Sequence, residues 1–218
     1  MNATLAIDTS TKKGRVSVFT ENNIIFNEVF TSERSHNSQI FAPLEEALIS
    51  CNRAPSLIVV GTGPGSYTGI RIGIAAGLGL SMALKAPIIG IPSICSAEST
   101  NPNSLYHVIG DARRESWYIA TVKGHQIISG PELLESVESL NEKIEIKKEQ
   151  IFSFDENLSF PGIKKTNPCA QKLARIAAEL SNEEIKELRS APPEPIYLRA
   201  PFITQPKKLG KNVPKLDS

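Results

Sequence analysis

The sequence predicts an α/β protein built as two lobes, each a mixed sheet with flanking helices. Two observations carry this. Short apolar runs alternate with stretches of helical period over the first hundred residues, and a second series of strand-like and helical stretches follows a turn-rich cluster, STNPNS, at Ser99 to Ser104. A chain of 218 residues is long for one compact domain and short for two large ones, so a single domain or two small lobes both fit its length.

Leu5 to Asp8 is a short apolar run closing on Asp-Thr-Ser-Thr, Arg15 to Thr20 alternates, and Ile24 to Phe30 is a third β-rich stretch. Glu21-Asn22-Asn23 between the last two reads as a hairpin turn. From Gln39 to Cys51 the apolar residues Ile40, Leu44, Ala47, Leu48 and Cys51 recur at helical spacing, with Pro43 tolerable in the first turn. Leu57 to Val60, between Pro55 and Gly61, has the pattern of a buried parallel strand. A helix from Thr68 to Leu84 and a strand from Pro87 to Ile91 follow, which implies right-handed helical crossovers where the strands are parallel.

In the second half, Tyr106 to Ile109 and Trp117 to Val122 read as strands flanking Gly110-Asp-Ala-Arg-Arg-Glu115. A helical stretch near Glu132 to Leu140, a strand at Ile151 to Phe154 and a helix at Ala170 to Leu180 complete it. The expected organisation is a first lobe over 1–102, a second over 103–204, and a disordered basic tail over 205–218 that carries Lys207, Lys208, Lys211 and Lys215.

Hydrophobic residues make up 40% and charged residues 22%, the balance of an ordinary globular protein. Lys plus Arg is 24 against 23 Asp plus Glu, so no global field draws the chain onto nucleic acid or an anionic membrane. The opening MNATLAIDTST does not read as a signal peptide, and the cytoplasm is the expected location. Cys51, Cys95 and Cys169 are far apart, with no C-x-x-C pair, and His36, His107 and His125 lack zincin spacing; neither a disulfide framework nor a metal site is expected.

The most informative segment is Gly61-Thr-Gly-Pro-Gly-Ser-Tyr-Thr-Gly69, lying between a buried strand and a helix. Gly63, Gly65 and Ser66 could turn backbone N–H groups toward an anion at the helix N-terminus, or could form a tight connection into a closely packed helix. The segment lacks the lysine of a P-loop and the third glycine of a dinucleotide fingerprint. Asp8, with Thr9 and Ser10 after it, reads equally as a carboxylate orienting a magnesium-bound phosphate and as a turn-forming Asx residue. Asp111-Ala-Arg-Arg-Glu115 reads as a solvated hairpin tip, with an anion or partner contact through Arg113 and Arg114 as the sharper alternative.

Together these segments resemble the TsaB family, also called YeaZ. Leu5-Ala-Ile-Asp-Thr-Ser10, the stretch Gly63 to Gly73, Asp111 to Glu115 with Tyr118, and Pro195-Ile-Tyr-Leu-Arg199 carry the resemblance, which covers residues 3 to about 200. It implies an actin-like ATPase (ASKHA) fold. It further implies a heterodimer with the transferase subunit TsaD, assistance from the ATPase TsaE, contact with tRNA only through that complex, and pairing of two copies in isolation. Threonylcarbamoyl-AMP is the donor in that pathway, and the TsaB-type subunit is a non-catalytic scaffold with no cofactor beyond weak ATP or ADP binding.

An actin-like ATPase needs a phosphate turn in each lobe and a glycine-rich adenosine pocket in the second. Ile109-Gly-Asp-Ala-Arg-Arg114 has no glycine after its Asp, and no glycine pair follows Gly124. This favours the scaffold over the two competing readings, an independent actin-like ATP-binding enzyme and an M22-type peptidase homologue. The helix from Thr68 to Leu84 supplies the expected partner surface. Gly69, Gly73 and Gly77 form a smooth face for its own sheet, and Arg71, Ile74, Leu78 and Met82 form an outward stripe that pairs with a partner beside Ile40 and Leu44 of the preceding helix.

Overall fold

The computed structural model describes residues 2–21, 23–31, 39–98, 100–101, 104–145, 149–158 and 160–199. His36, the expected tail over 205–218 and part of the 99–104 cluster lie outside the described residues. The first half holds β1 (Ala3–Asp8), β2 (Lys13–Thr20), β3 (Asn23–Thr31), α1 (Phe41–Ser50), β4 (Leu57–Gly61), α2 (Tyr67–Leu84), β5 (Ile88–Ile91) and a 3-10 turn at Ser93–Ser96. The second holds β6 (Leu105–Asp111), β7 (Trp117–Lys123), β8 (Gln126–Leu134), α3 (Val137–Glu145), β9 (Ile151–Ser153), β10 (Ile163–Lys165), α4 (Ala170–Glu179) and α5 (Asn182–Leu188).

These strands form two five-stranded sheets, ordered β3-β2-β1-β4-β5 and β8-β7-β6-β9-β10. In both, the first three strands run antiparallel as a meander, and the last two join the opposite side of the first strand in parallel. The central strand of the first sheet, ATLAID, is buried along its whole length, as a strand covered on both faces must be.

Alternation along β1 and β4 sorts the first sheet's faces. Leu5, Ile7, Ile58 and Val60 point toward a core closed by Leu44 and Leu48 of α1 and Ile70 and Ile74 of α2. Ala6 and Val59 point the other way, into a core shared with Tyr106, Val108 and Phe152 of the second sheet and Leu173, Ala174 and Ala177 of α4. Helix α4 therefore packs on β1 and β2 although it follows the second sheet in sequence. A third core, around Ile109, Ile119 and Leu140, closes the outer face of the second sheet beneath α3.

Three elements differ from expectation. The stretch Glu132 to Leu140 does not form one helix: β8 runs to Leu134, where it pairs with Trp117 of β7, and α3 begins at Val137. Cross-strand pairing with β7 overrides the helical spacing there. Strand β10 and helix α5 are additional to the expected elements. For α5 a local signal exists, since Ser181 and Glu184 form a capping box, each side chain accepting the other's backbone N–H.

Helix α2 is long and apolar enough to cross a membrane by length and composition, with mean hydropathy 1.3 over 18 residues, of which 28% are buried. Its glycines press it onto the first sheet instead. A Cβ on Gly73 would lie 2.4 Å from Thr9 Oγ1, and one on Gly77 would lie 2.5 Å from Val60.

Candidate functional site

A cleft of about 1230 Å³ opens between the lobes. The four segments that carry the family resemblance, distant in sequence, converge on it: Ser10 after β1, Pro64 to Tyr67 and Ile70 before and in α2, the turn 111–118, and 196–199 beyond α5.

On the first-lobe wall, the β1 and α2 turns are stitched to each other. Asp8 is fully buried, and its Oδ1 accepts the Ser10 N–H at 2.9 Å and the Ser10 hydroxyl at 2.6 Å, an Asx turn. Thr9 Oγ1 donates to the Gly69 carbonyl at 2.7 Å, and the Ser66 N–H donates to the Ser10 carbonyl at 2.7 Å. The Gly63 N–H donates to Ser93 Oγ at 3.0 Å, and Ser66 caps α2 by accepting the Gly69 N–H at 3.2 Å. A Cβ on Gly65 would lie 2.2 Å from the Ser10 carbonyl oxygen, so glycine is required for this closure.

Of the residues expected to cradle a phosphate, Asp8, Thr9 and Ser10 are thus buried and engaged, and the N–H groups of Gly63 and Ser66 already have acceptors. Gly65 and Ser66 still line the cleft, with Ser10 beside them. Gly65 and Gly69 bring their backbone against the carbonyls of Ser10 and Thr9. Among the described residues Asp8 Oδ2 has no hydrogen-bond partner, and it packs against Gly61, where a Cβ would come within 2.0 Å of it. Arg15 stands opposite Asp8 across the β1–β2 ladder. Burial pulls the Arg15 guanidinium below its ordinary pKa, and the Asp8 charge opposes that shift.

The second-lobe wall begins with the same local turn. Asp111 closes β6, and its Oδ1 accepts the Arg113 N–H at 2.6 Å. Here, however, Arg113, Arg114 and Glu115 are all left-handed, with φ of 65°, 56° and 57°. Side chains occupy a backbone conformation that glycine would adopt without strain. Arg113 pairs with Asp111 at 3.0 Å while remaining 84% exposed. The Asp111 N–H donates to Asp155 Oδ2 at 2.6 Å, and burial raises the Asp155 carboxyl above its ordinary value against that bond. Arg199 Nη2 donates to Ser116 Oγ at 2.6 Å, which ties the 196–199 segment to the turn.

At the cleft mouth, Tyr67 and Tyr197 lie with ring centroids 5.2 Å apart, and the Arg71 guanidinium donates to the Tyr67 hydroxyl at 2.7 Å. Sequence reasoning named Arg71 only as part of a partner stripe on the helix and did not name Tyr67, Tyr197 or Arg199 as site residues. Tyr67 and Tyr197 lie 130 residues apart in the chain, and no local pattern joins them. Among the described residues no group of three or more His, Cys, Asp or Glu could hold a metal ion.

The expected partner stripe needs correction. Ile40, Leu44 and Ile74 are 1%, 4% and 6% exposed and belong to the first lobe's own core, and Leu78 is half-buried against it. Ile74 lies one turn from Ile70 and Gly77, so it shares their sheet-facing side. Arg71 and Met82 are exposed as expected. The open surface of α2 is centred instead on Ala75, Gly79, Met82 and Ala83, and that of α1 on Phe41 and Ile49. On α1 the regular apolar stripe is the one its own sheet consumes.

A family model described as TsaD, tRNA N6-adenosine threonylcarbamoyltransferase, matches residues 24–201. The chain is 34% identical over 119 residues to a protein of Bacillus subtilis strain 168 named tRNA threonylcarbamoyladenosine biosynthesis protein TsaB, covering 52% of each chain. It is 31% identical over 94 residues to the Escherichia coli K12 protein of the same name, covering 41% of this chain and 40% of that one. The matched stretch thus spans about half or less of these curated relatives. The solved structure of YeaZ from Pseudomonas aeruginosa superposes with a TM-score of 0.68 at 19% identity, over 91% of this chain and all of that one.

Proposed function

The chain belongs to the TsaD family, in its TsaB (YeaZ) group, with the two-lobed actin-like fold, and from that premise we propose that it is a non-catalytic scaffold subunit in tRNA threonylcarbamoyladenosine biosynthesis. It pairs with a TsaD-type transferase subunit, a TsaE-type ATPase assists, and tRNA is met through the assembly in the cytoplasm. Alone, two copies pair through the same face. The chain needs no cofactor of its own.

The observation that carries this reading is the self-closed first-lobe turn, whose Ser66 N–H is spent on the Ser10 carbonyl. Backbone donors already engaged cannot stabilise a transferring phosphoryl group. The pairing face is the outer side of α2, where Gly79 has open space around it and Met82 is 81% exposed, beside Phe41 and Ile49 of α1. An uncharged apolar surface of this kind favours burial against a partner.

Ala75→Glu and Met82→Glu, both at exposed positions, test the reading with purified TsaD-type subunit. Each leaves the circular dichroism and melting of the chain unchanged and weakens pairing by about 3 kcal/mol, a loss of more than a hundredfold, because a carboxylate buried without a partner is costly. Normal pairing by both variants refutes the face assignment. Threonylcarbamoyl transfer by this chain alone, abolished in Asp8→Ala, refutes the scaffold role.

A further inference from the structure

We propose that Arg199 is a clasp across the cleft: it ties the second lobe to the first, and its release lets the second lobe turn about a pinned hinge and widen the cleft. The clasp is independent of how the chain pairs with other subunits.

The path of the chain sets this up. It crosses from the first sheet to the second between the 3-10 turn and β6, and it returns between β10 and α4. Helix α4 then packs on β1 and β2. Beyond α5 the chain stays on the first lobe. A Cβ on Gly90 of β5 would lie 3.1 Å from Pro193, the Ile196 N–H donates to the Thr62 carbonyl at 2.9 Å, and Tyr197 stands beside Tyr67. The second sheet is therefore an insertion joined to the first lobe by two crossings, and a few residues at such a junction can absorb a rigid-body turn.

The two crossings run side by side. Ala97 bridges Pro168, the Glu98 N–H donates to the Asn167 carbonyl at 2.9 Å, and the Cys169 N–H donates to Ser96 Oγ at 3.2 Å. Lys172 of α4 pins the outgoing crossing. Its Nζ donates to the carbonyls of Ala97 and Thr100, both at 2.9 Å, and to Thr100 Oγ1. Tyr106, in the first strand of the second sheet, donates its hydroxyl to the Ile94 carbonyl at 2.8 Å. The core that Tyr106 and Phe152 share with Leu173 and Ala174 covers this pivot and limits the turn to a small angle.

The clasp differs from the pin in how well its donors are satisfied. Arg199 Nη2 donates to Ser116 Oγ at 2.6 Å, a side-chain contact between the first-lobe segment 193–199 and the second-lobe turn 111–118. The Ser116 hydroxyl in turn donates to the Arg113 carbonyl at 2.6 Å, so the contact is carried into the body of that turn. Among the described residues Arg199 Nε is buried and has no hydrogen-bond partner. The Lys172 ammonium has an acceptor for each of its three donors, whereas a buried guanidinium N–H without one weakens the closed arrangement. The clasp is thus the contact that parts first. Ser116, Arg199 and Asn167 of the hinge all line the cleft, so release acts directly on its width.

The test reads the distance between spin labels at Lys12→Cys and Glu156→Cys, exposed positions that line the cleft from the two lobes, in a Cys169→Ser background, since Cys51 and Cys95 are buried. Labelled chain is diluted with an excess of unlabelled chain, so that only distances within one molecule are read. The parent gives one narrow distribution. Arg199→Met and Ser116→Ala each add a population at longer distance with circular dichroism unchanged, and Arg199→Lys, which keeps a donor, restores most of the short one. Lys172→Met instead speeds hydrogen exchange at the Glu98 amide roughly tenfold and leaves the distance as in the parent, because the clasp still holds. Distributions in Arg199→Met and Ser116→Ala that both coincide with the parent's overturn the proposal, as does a longer population in Lys172→Met alone.

Discussion

The two lobes repeat one strand topology and end their first strands on the same Asx turn, at Asp8 and at Asp111. Beyond that turn they diverge. In the first lobe, glycines let a helix and a strand turn approach until their backbones bond to each other. In the second, three consecutive side chains sit in left-handed conformations, and Asp111 is left at the surface with Arg113. The same scaffold has thus been closed by small residues on one wall and armed with charge on the other.

The sharpest way to break this comparison is to fill the closed wall. A Cβ on Gly69 would lie 2.1 Å from the backbone carbonyl of Thr9, and backbone cannot swing aside as a side chain can. Gly69→Ala is expected to destabilise the chain by about 3 kcal/mol, the upper end of ordinary overpacking, read as a fall in melting temperature. A variant that melts like the parent removes close approach as the reason for the glycines.

Next in size is relief of strain on the armed wall. Glu115 has φ 57°, and no bond of its side chain is formed among the described residues. Glu115→Gly is expected to stabilise by about 1 kcal/mol, the cost of one left-handed non-glycine residue. Unchanged denaturant midpoints indicate that the turn carries no strain.

A smaller effect separates the two sides of α2. A Cβ on Gly79 would meet nothing within 4 Å, unlike one on Gly69. Gly79→Ala is expected to stabilise the isolated chain by about 0.8 kcal/mol through helix propensity alone. A loss of stability places that face inside the chain's own core.

The smallest effect is electrostatic. Asp155 ionises at higher pH in the folded chain than its ordinary 3.8, chiefly because it is buried, so its contribution to stability is full below the ordinary aspartate range and declines as pH rises through the folded value. Asp155→Asn keeps an acceptor for the Asp111 N–H. Its melting temperature relative to the parent is expected to improve as pH is raised from about 3 toward about 7, across the ordinary aspartate range. A difference that stays flat or reverses contradicts the burial effect.

The sequence by itself determined the strands of the first lobe, the helices α1, α2 and α4, and the packing of Gly73 and Gly77 against the sheet. Each follows from a local period, because side chains at i, i+2 or i, i+3, i+4 share a face whatever the rest of the chain does. Only the tertiary structure decided that α4 lies on the other lobe's sheet, that Ile40, Leu44 and Ile74 are consumed by the chain's own core, and that Tyr67 meets Tyr197. Periodicity tells which residues of a helix are apolar but not which of two available surfaces covers them. That choice is made by total buried area, summed over contacts between segments far apart in sequence, and no single segment carries it.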